Sequence, residues 1–219
     1  MSFSLILKDE LKGFYKSKVM IFLWIGLPVL AFLLHFFLSD LYDSLSTLTA
    51  ILVSNIGGLL AAVMLTVNII NEKDRRVYDL FLIRPIKRWH LMVSKFLAIF
   101  ICVSIACILA ISLGISVDFF QASLDLNLIT QNIINPLIMA FSVIAISSAM
   151  GVLFGVISPS IVVGVVLVIF VGNYISSIPT IIPLTLNIKD PVLLVFTTGV
   201  VVTIIMMALA IILFNRKEF

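Results

Sequence analysis

The side chains that could carry covalent or proton chemistry are few: His35 and His90, Cys102 and Cys107, and acidic and basic groups that stay clear of the long apolar runs. Nucleophilic or general acid–base catalysis needs paired groups within reach of one another, such as a serine beside a histidine or two carboxylates. No Asp or Glu lies inside any apolar run, and the two histidines fall on opposite sides of a membrane crossed by those runs. Cys102 and Cys107 share one apolar segment at a spacing that points them to different sides of a helix. They read as reduced core residues rather than as a disulfide or a metal site. No G-x-x-x-x-G-K-[ST] loop occurs, so the chain has no P-loop for ATP phosphates. The expectation is a chain with no catalytic residue, metal or cofactor of its own.

What remains is polar chemistry of the binding kind. Polar side chains are costly in lipid and tend to face protein or a water-filled path. Asn55 and Asn68 in the second apolar run, Asn173 and Tyr174 in the fifth, and His35 near the end of the first are the candidates for such a path. Ser54, Thr66, Ser142, Ser147, Ser148, Ser176 and Ser177 are expected mostly to bond back to their own helices. Gly57 with Ala61, Gly58 with Ala62, and Gly151 with Gly155 have the spacing of small residues that lets helices pack closely.

The elements that must position these residues follow from composition. Hydrophobic residues make up 62% of the 219 and charged ones 11%, too few to build a water-soluble surface, and no charged residue occurs between Leu126 and Ile188. A bilayer core needs about 20 apolar residues in helix. Six runs qualify: 19–38, 49–70, 96–117, 133–157, 161–182 and 192–214. The first follows a long charged leader and reads as a retained span, not a cleaved signal. Ser158-Pro159-Ser160 separates the fourth and fifth as a tight hairpin, because proline ends the helix there.

With the N-terminus inside, every one of the 14 Lys and Arg residues except Lys189 falls on the cytoplasmic side. The outer loops carry Asp40, Asp43, Asp118, Asp125 and Asp190. This asymmetry predicts both termini in the cytoplasm. Residues 1–18 place Phe3, Leu7, Leu11 and Phe14 on one side of a helix, with Lys8, Asp9, Lys12 and Lys16 on the other. That pattern describes an amphipathic elbow helix lying in the interface, with Leu5 and Glu10 as the exceptions. Basic residues beside apolar spans suit a lipid surface and give no reason to expect nucleic acid. The predicted fold is therefore an all-α integral membrane protein, an interfacial elbow helix followed by six spans over 19–219.

The second unusual segment is the cytoplasmic loop 71–95. It opens on the charges Glu72, Lys73, Asp74 and Arg75, continues through Val77, Tyr78, Asp79, Leu80, Phe81, Leu82 and Ile83 as a short apolar helix, and stops at Arg84-Pro85. Apolar side chains on such a loop call for a partner surface or the headgroup boundary. This pattern, with Pro85-Ile86-Lys87-Arg88 and then Lys95 at the start of the third span, resembles the coupling segment of the ABC type-two permease family. Arg76-Val77 stands where that family usually has Gly-Thr.

The resemblance implies a membrane subunit of an ABC exporter in the cell membrane. It would pair with a second permease subunit, identical or different, and with two cytoplasmic ATPase subunits that hold the ATP and Mg. It also implies that the first, second and fifth spans line the path, which favours Asn55 and Asn173. Since the spans hold no charge, the expected cargo is amphiphilic or hydrophobic: a peptide, a lipid-like molecule or a drug. The alternatives are an ion-coupled transporter or channel, and a membrane anchor without transport activity.

Overall fold

A chain this apolar can satisfy its backbone polar groups in lipid only within helices or closed barrels. The computed structural model, which describes residues 3–38, 45–75, 88–121, 126–179 and 191–216, is helical throughout apart from short turns. Seven helices are seen among the described residues: α1 Phe3–Tyr15, α2 Lys18–Leu38, α3 Leu45–Asp74, α4 Arg88–Gln121, α5 Leu126–Ile157, α6 Ile161–Ser176 and α7 Pro191–Arg216. Four of them (α3, α4, α5 and α7) are long and apolar enough to cross a membrane, and α1 with α2 makes a fifth when the bent pair is taken as one span.

One difference from the sequence-based expectation concerns lengths. α3 and α4 run past the apolar runs that define them, so Asn71 to Asp74 and Arg88 to Lys95 are helix, not loop. Polar residues at the ends of an apolar run prolong a helix wherever their own partners lie beside it. The described part of the fifth apolar run is helical over Ile161–Ser176, with a turn at Ser177 and helix again at 178–179, and residues 180–182 lie outside the described set. Within α6, Val168–Gly172 form a π-turn, a wider coil that shifts which face the following residues present.

Helix association in lipid rests on close packing and hydrogen bonds more than on hydrophobic driving force. α3 lies at the centre, packed most broadly on α5 and also on α4, α2 and α6, while α7 covers the other side of α5. At Gly151 the approach is close enough that a Cβ would lie 2.6 Å from the carbonyl oxygen of Ala62. At the same seam Thr66 donates its hydroxyl to the carbonyl of Gly151 at 2.9 Å. A Cβ on Gly58 would meet Ser147 Oγ at 2.7 Å, and one on Gly155 would meet Ile69 Cβ at 2.9 Å. The indole of Trp24 donates to the carbonyl of Cys102 at 3.2 Å and ties α2 to α4.

α5 and α6 are joined by Ser158-Pro159-Ser160, the break that proline dictates, and Ser160 caps α6 by accepting from the Val163 amide. Lys73, from the end of α3, donates to the carbonyl of Ser158 at 3.3 Å, which fastens this hairpin to α3.

α1 is turned 66° from α2 at the Lys16-Ser17 joint. Its buried side carries Ile6 and Phe14, with Leu7 and Leu11 packed against the same core, while Lys8, Asp9, Lys12 and Lys16 are exposed. The helix packs on the opening of α4, where Phe3 and His90 bring their rings to 5.6 Å.

Candidate functional site

Glu10 breaks the amphipathic pattern of α1 because its carboxylate points inward with Ile6 and Phe14. A carboxylate on the buried side of a helix needs a partner of opposite charge. The partner is Lys95, in the opening turns of α4, whose Nζ lies 2.7 Å from Glu10 Oε1 and 2.5 Å from Oε1 of Glu72 in the last turn of α3. The lysine side chain is 1% exposed, and the two glutamates are 19% and 21% exposed.

A buried ammonium is tolerated only where carboxylates and hydrogen bonds replace its water. Two carboxylates face one ammonium, so the cluster holds one more acidic than basic group. Glu72 Oε2 is buried and has no hydrogen-bond partner. Burial raises the Glu10 carboxyl above its ordinary value. The Lys95 charge and hydrogen bond oppose that rise, and the negative charges of Glu72 and Asp9 add to it.

Beside the cluster lies a partly open cavity of about 560 Å³, lined by α1, the joint to α2 and the neighbouring stretch of α3. Leu60, Val63, Met64 and Val67 give it an apolar wall, Phe14 and Val19 close the other side, and Asn68, Asn71, Ser17, Glu10 and Glu72 supply polar groups. Among the described residues that line it there is no Lys or Arg.

Of the residues expected to line a path, Asn68 borders this cavity. Asn55 is turned onto its own helix, its amide donating to the Ile51 carbonyl at 2.8 Å. Asn173 and Tyr174 are exposed on α6, the tyrosine by 75%, and are not among the cavity's lining residues. His35 is carried on α2 with its side chain outside the described set. Ser54, Ser142, Ser176 and Ser177 bond to carbonyls of their own helices, whereas Thr66 reaches across to α5.

Of the loop residues, Glu72 enters the ion cluster, and Arg75 is exposed where α3 ends. Val77, Tyr78, Asp79, Leu80, Phe81, Arg84 and Pro85 lie outside the described residues. Among the described residues no three His, Cys, Asp or Glu side chains gather as a metal site.

Glu10 was the site residue that helical periodicity flagged only as an irregularity. Lys95 stands at the end of the coupling-segment pattern, with no partner assigned to it. The signal available was Glu10 itself, an acid in the stripe of Phe3, Leu7 and Phe14. Neither protein-family models nor characterised proteins match this chain by sequence, so its functional reading rests on residues and geometry.

Proposed function

We propose that this chain is the permease subunit of an ATP-driven exporter. In this reading it has six spans with both termini in the cytoplasm, pairs with a second permease subunit, and is driven by two ATPase subunits that bind ATP and Mg. Its cargo is amphiphilic or hydrophobic. The observation that carries the proposal is the Glu10–Lys95–Glu72 cluster. Glu72 and Lys95 flank the loop 76–87 on its two sides, and Glu10 joins both to the elbow helix. A displacement of the loop by a docked ATPase would therefore reach α1, α3 and α4 together instead of dissipating in one helix.

The test is co-expression with the ATPase encoded nearest to this chain, followed by co-purification and ATP hydrolysis in proteoliposomes. Stable association and hydrolysis that rises with an amphiphilic substrate support the proposal. Transport without any ATPase would overturn it.

A second reading, ion-coupled transport, draws on the same buried ionisable groups. It predicts proton flux across liposomes holding this chain alone, abolished in Glu10→Gln. The position of the cluster at helix ends, away from the middle of α3 and α4, favours the first reading.

A further inference from the structure

The cavity beside the ion cluster combines features that neither packing nor ATP coupling requires. Its volume, about 560 Å³, lies in the range of roughly 300–1,000 Å³ typical of small-molecule sites. Its wall along α3 runs from Glu72 to Leu60, which at 1.5 Å per residue is about 18 Å of helix. One end carries Glu10, Glu72 and the polar Ser17, Asn68 and Asn71, and the α3 wall beyond them, Leu60 to Val67, is apolar.

We propose that this cavity binds a single-chain amphiphile with an ammonium head, the head seated at Glu10 and Glu72 and the tail lying along Val67, Met64 and Leu60.

Charge complementarity selects the head. One ammonium, that of Lys95, faces two carboxylates, and none of the described residues lining the cavity is basic. An anionic head would meet two carboxylates, and a neutral one would leave the second carboxylate without a cationic partner. A divalent cation is disfavoured by the ammonium of Lys95 within the cluster and by the apolar wall. The narrow strip presented by one face of α3 suits one chain better than the two of a membrane lipid. That the ligand would also be cargo rests on the export reading above; binding does not, so the test needs neither ATPase nor ATP.

The full-length chain in phosphatidylcholine nanodiscs is titrated with a photoactivatable dodecylamine, with dodecanol and laurate as competitors of equal tail length. Saturable labelling should map to α1 and α3, and the amine should bind at least about tenfold more tightly than the alcohol. Glu72→Gln should reduce that preference severalfold, and Met64→Trp, which fills the cavity far from the ion cluster, should abolish labelling while helicity and thermal unfolding stay near wild type. Equal competition by amine and alcohol would overturn the proposal, as would labelling that survives Met64→Trp. Co-purified phosphatidylethanolamine that blocks the amine would also overturn it, by assigning the cavity to a resident lipid. If binding holds but the amine fails to stimulate hydrolysis in the ATPase complex, the claim that the bound amphiphile is also cargo fails and the site stands.

Discussion

The Nζ of Lys95 lies 2.7 Å from Oε1 of Glu10, although 85 residues separate the two in the chain. The contact joins the elbow helix α1 to the start of α4, and Glu72 extends it to the end of α3. Three helices are thereby held by one buried ammonium.

Removing that ammonium should be costly. Lys95→Met leaves two carboxylates facing each other in a poorly solvated site, and the expected loss is about 3–5 kcal/mol. Glu10→Gln keeps one carboxylate for the lysine and should cost about 1–2 kcal/mol. Equilibrium unfolding in mixed micelles measures both. A Lys95→Met protein as stable as Glu10→Gln would show that the cluster contributes nothing through charge.

The raised Glu10 carboxyl has a definite pH signature. The folded chain holds this proton more tightly than the unfolded chain, so Glu10 contributes most to stability at low pH. That contribution falls as pH rises from the unfolded value of 4.5 through the higher folded value, and is constant above it. Thermal midpoints of wild type minus those of Glu10→Gln should decline across this window. A difference that grows with pH would contradict the burial-dominated account.

The α3–α5 seam makes a steric prediction. Gly151→Val should cost about 1–3 kcal/mol or more, because the new Cβ would lie 2.6 Å from the backbone oxygen of Ala62, which cannot rotate away. Thr66→Val, which removes the donor to Gly151, should cost about 0.6 kcal/mol. Gly13→Ala, where a Cβ meets nothing within 4 Å, should be neutral or stabilising by up to about 1 kcal/mol. The same unfolding assay ranks the three.

Docking of an ATPase is tested on the loop. Leu80→Asp or Phe81→Asp would place an uncompensated charge in an apolar contact, at a cost of several kcal/mol if buried there, and should abolish ATPase binding and transport while the chain still inserts. Lys87→Ala or Arg88→Ala should change mainly association rate and salt dependence. Intact ATPase binding in Leu80→Asp and Phe81→Asp would overturn the docking role and leave the loop's basic residues as a topology signal alone.

Cysteine labelling tests orientation. Positions near Asp43, Asp125 and Lys189 should react from outside, and positions near Arg75, Ser158 and Lys217 from inside. The Lys73–Ser158 hydrogen bond makes a stronger demand, since Arg75 and Ser158 must share one side whatever that side is.

Uninterrupted apolar runs made the helices legible, because in lipid such a run has almost no other way to satisfy its backbone. Ser158-Pro159-Ser160 marked the α5–α6 break for the same local reason. Helix lengths were less legible: Glu72 and Lys95 look like the ends of their spans until the other is seen to neutralise it from a neighbouring helix. The π-turn at Val168–Gly172 left no sign that periodicity in a uniformly apolar segment could register. The elbow cavity depends on a 66° bend and on the convergence of α1 with α3, a relation between distant segments that spacing within either one cannot encode.

That bend has a mechanical consequence for the surrounding membrane. An amphipathic helix turned so far from the span that follows it occupies area in one leaflet only, as a wedge does. On the proposed interfacial placement of α1, the protein would have unequal cross-sections in the two leaflets, and the lateral pressure of the leaflet holding α1 would bear on the contact between Glu10 and Lys95. Lipids with small headgroups, which relax headgroup crowding, and lysolipids, which increase it, should act on this chain in opposite directions.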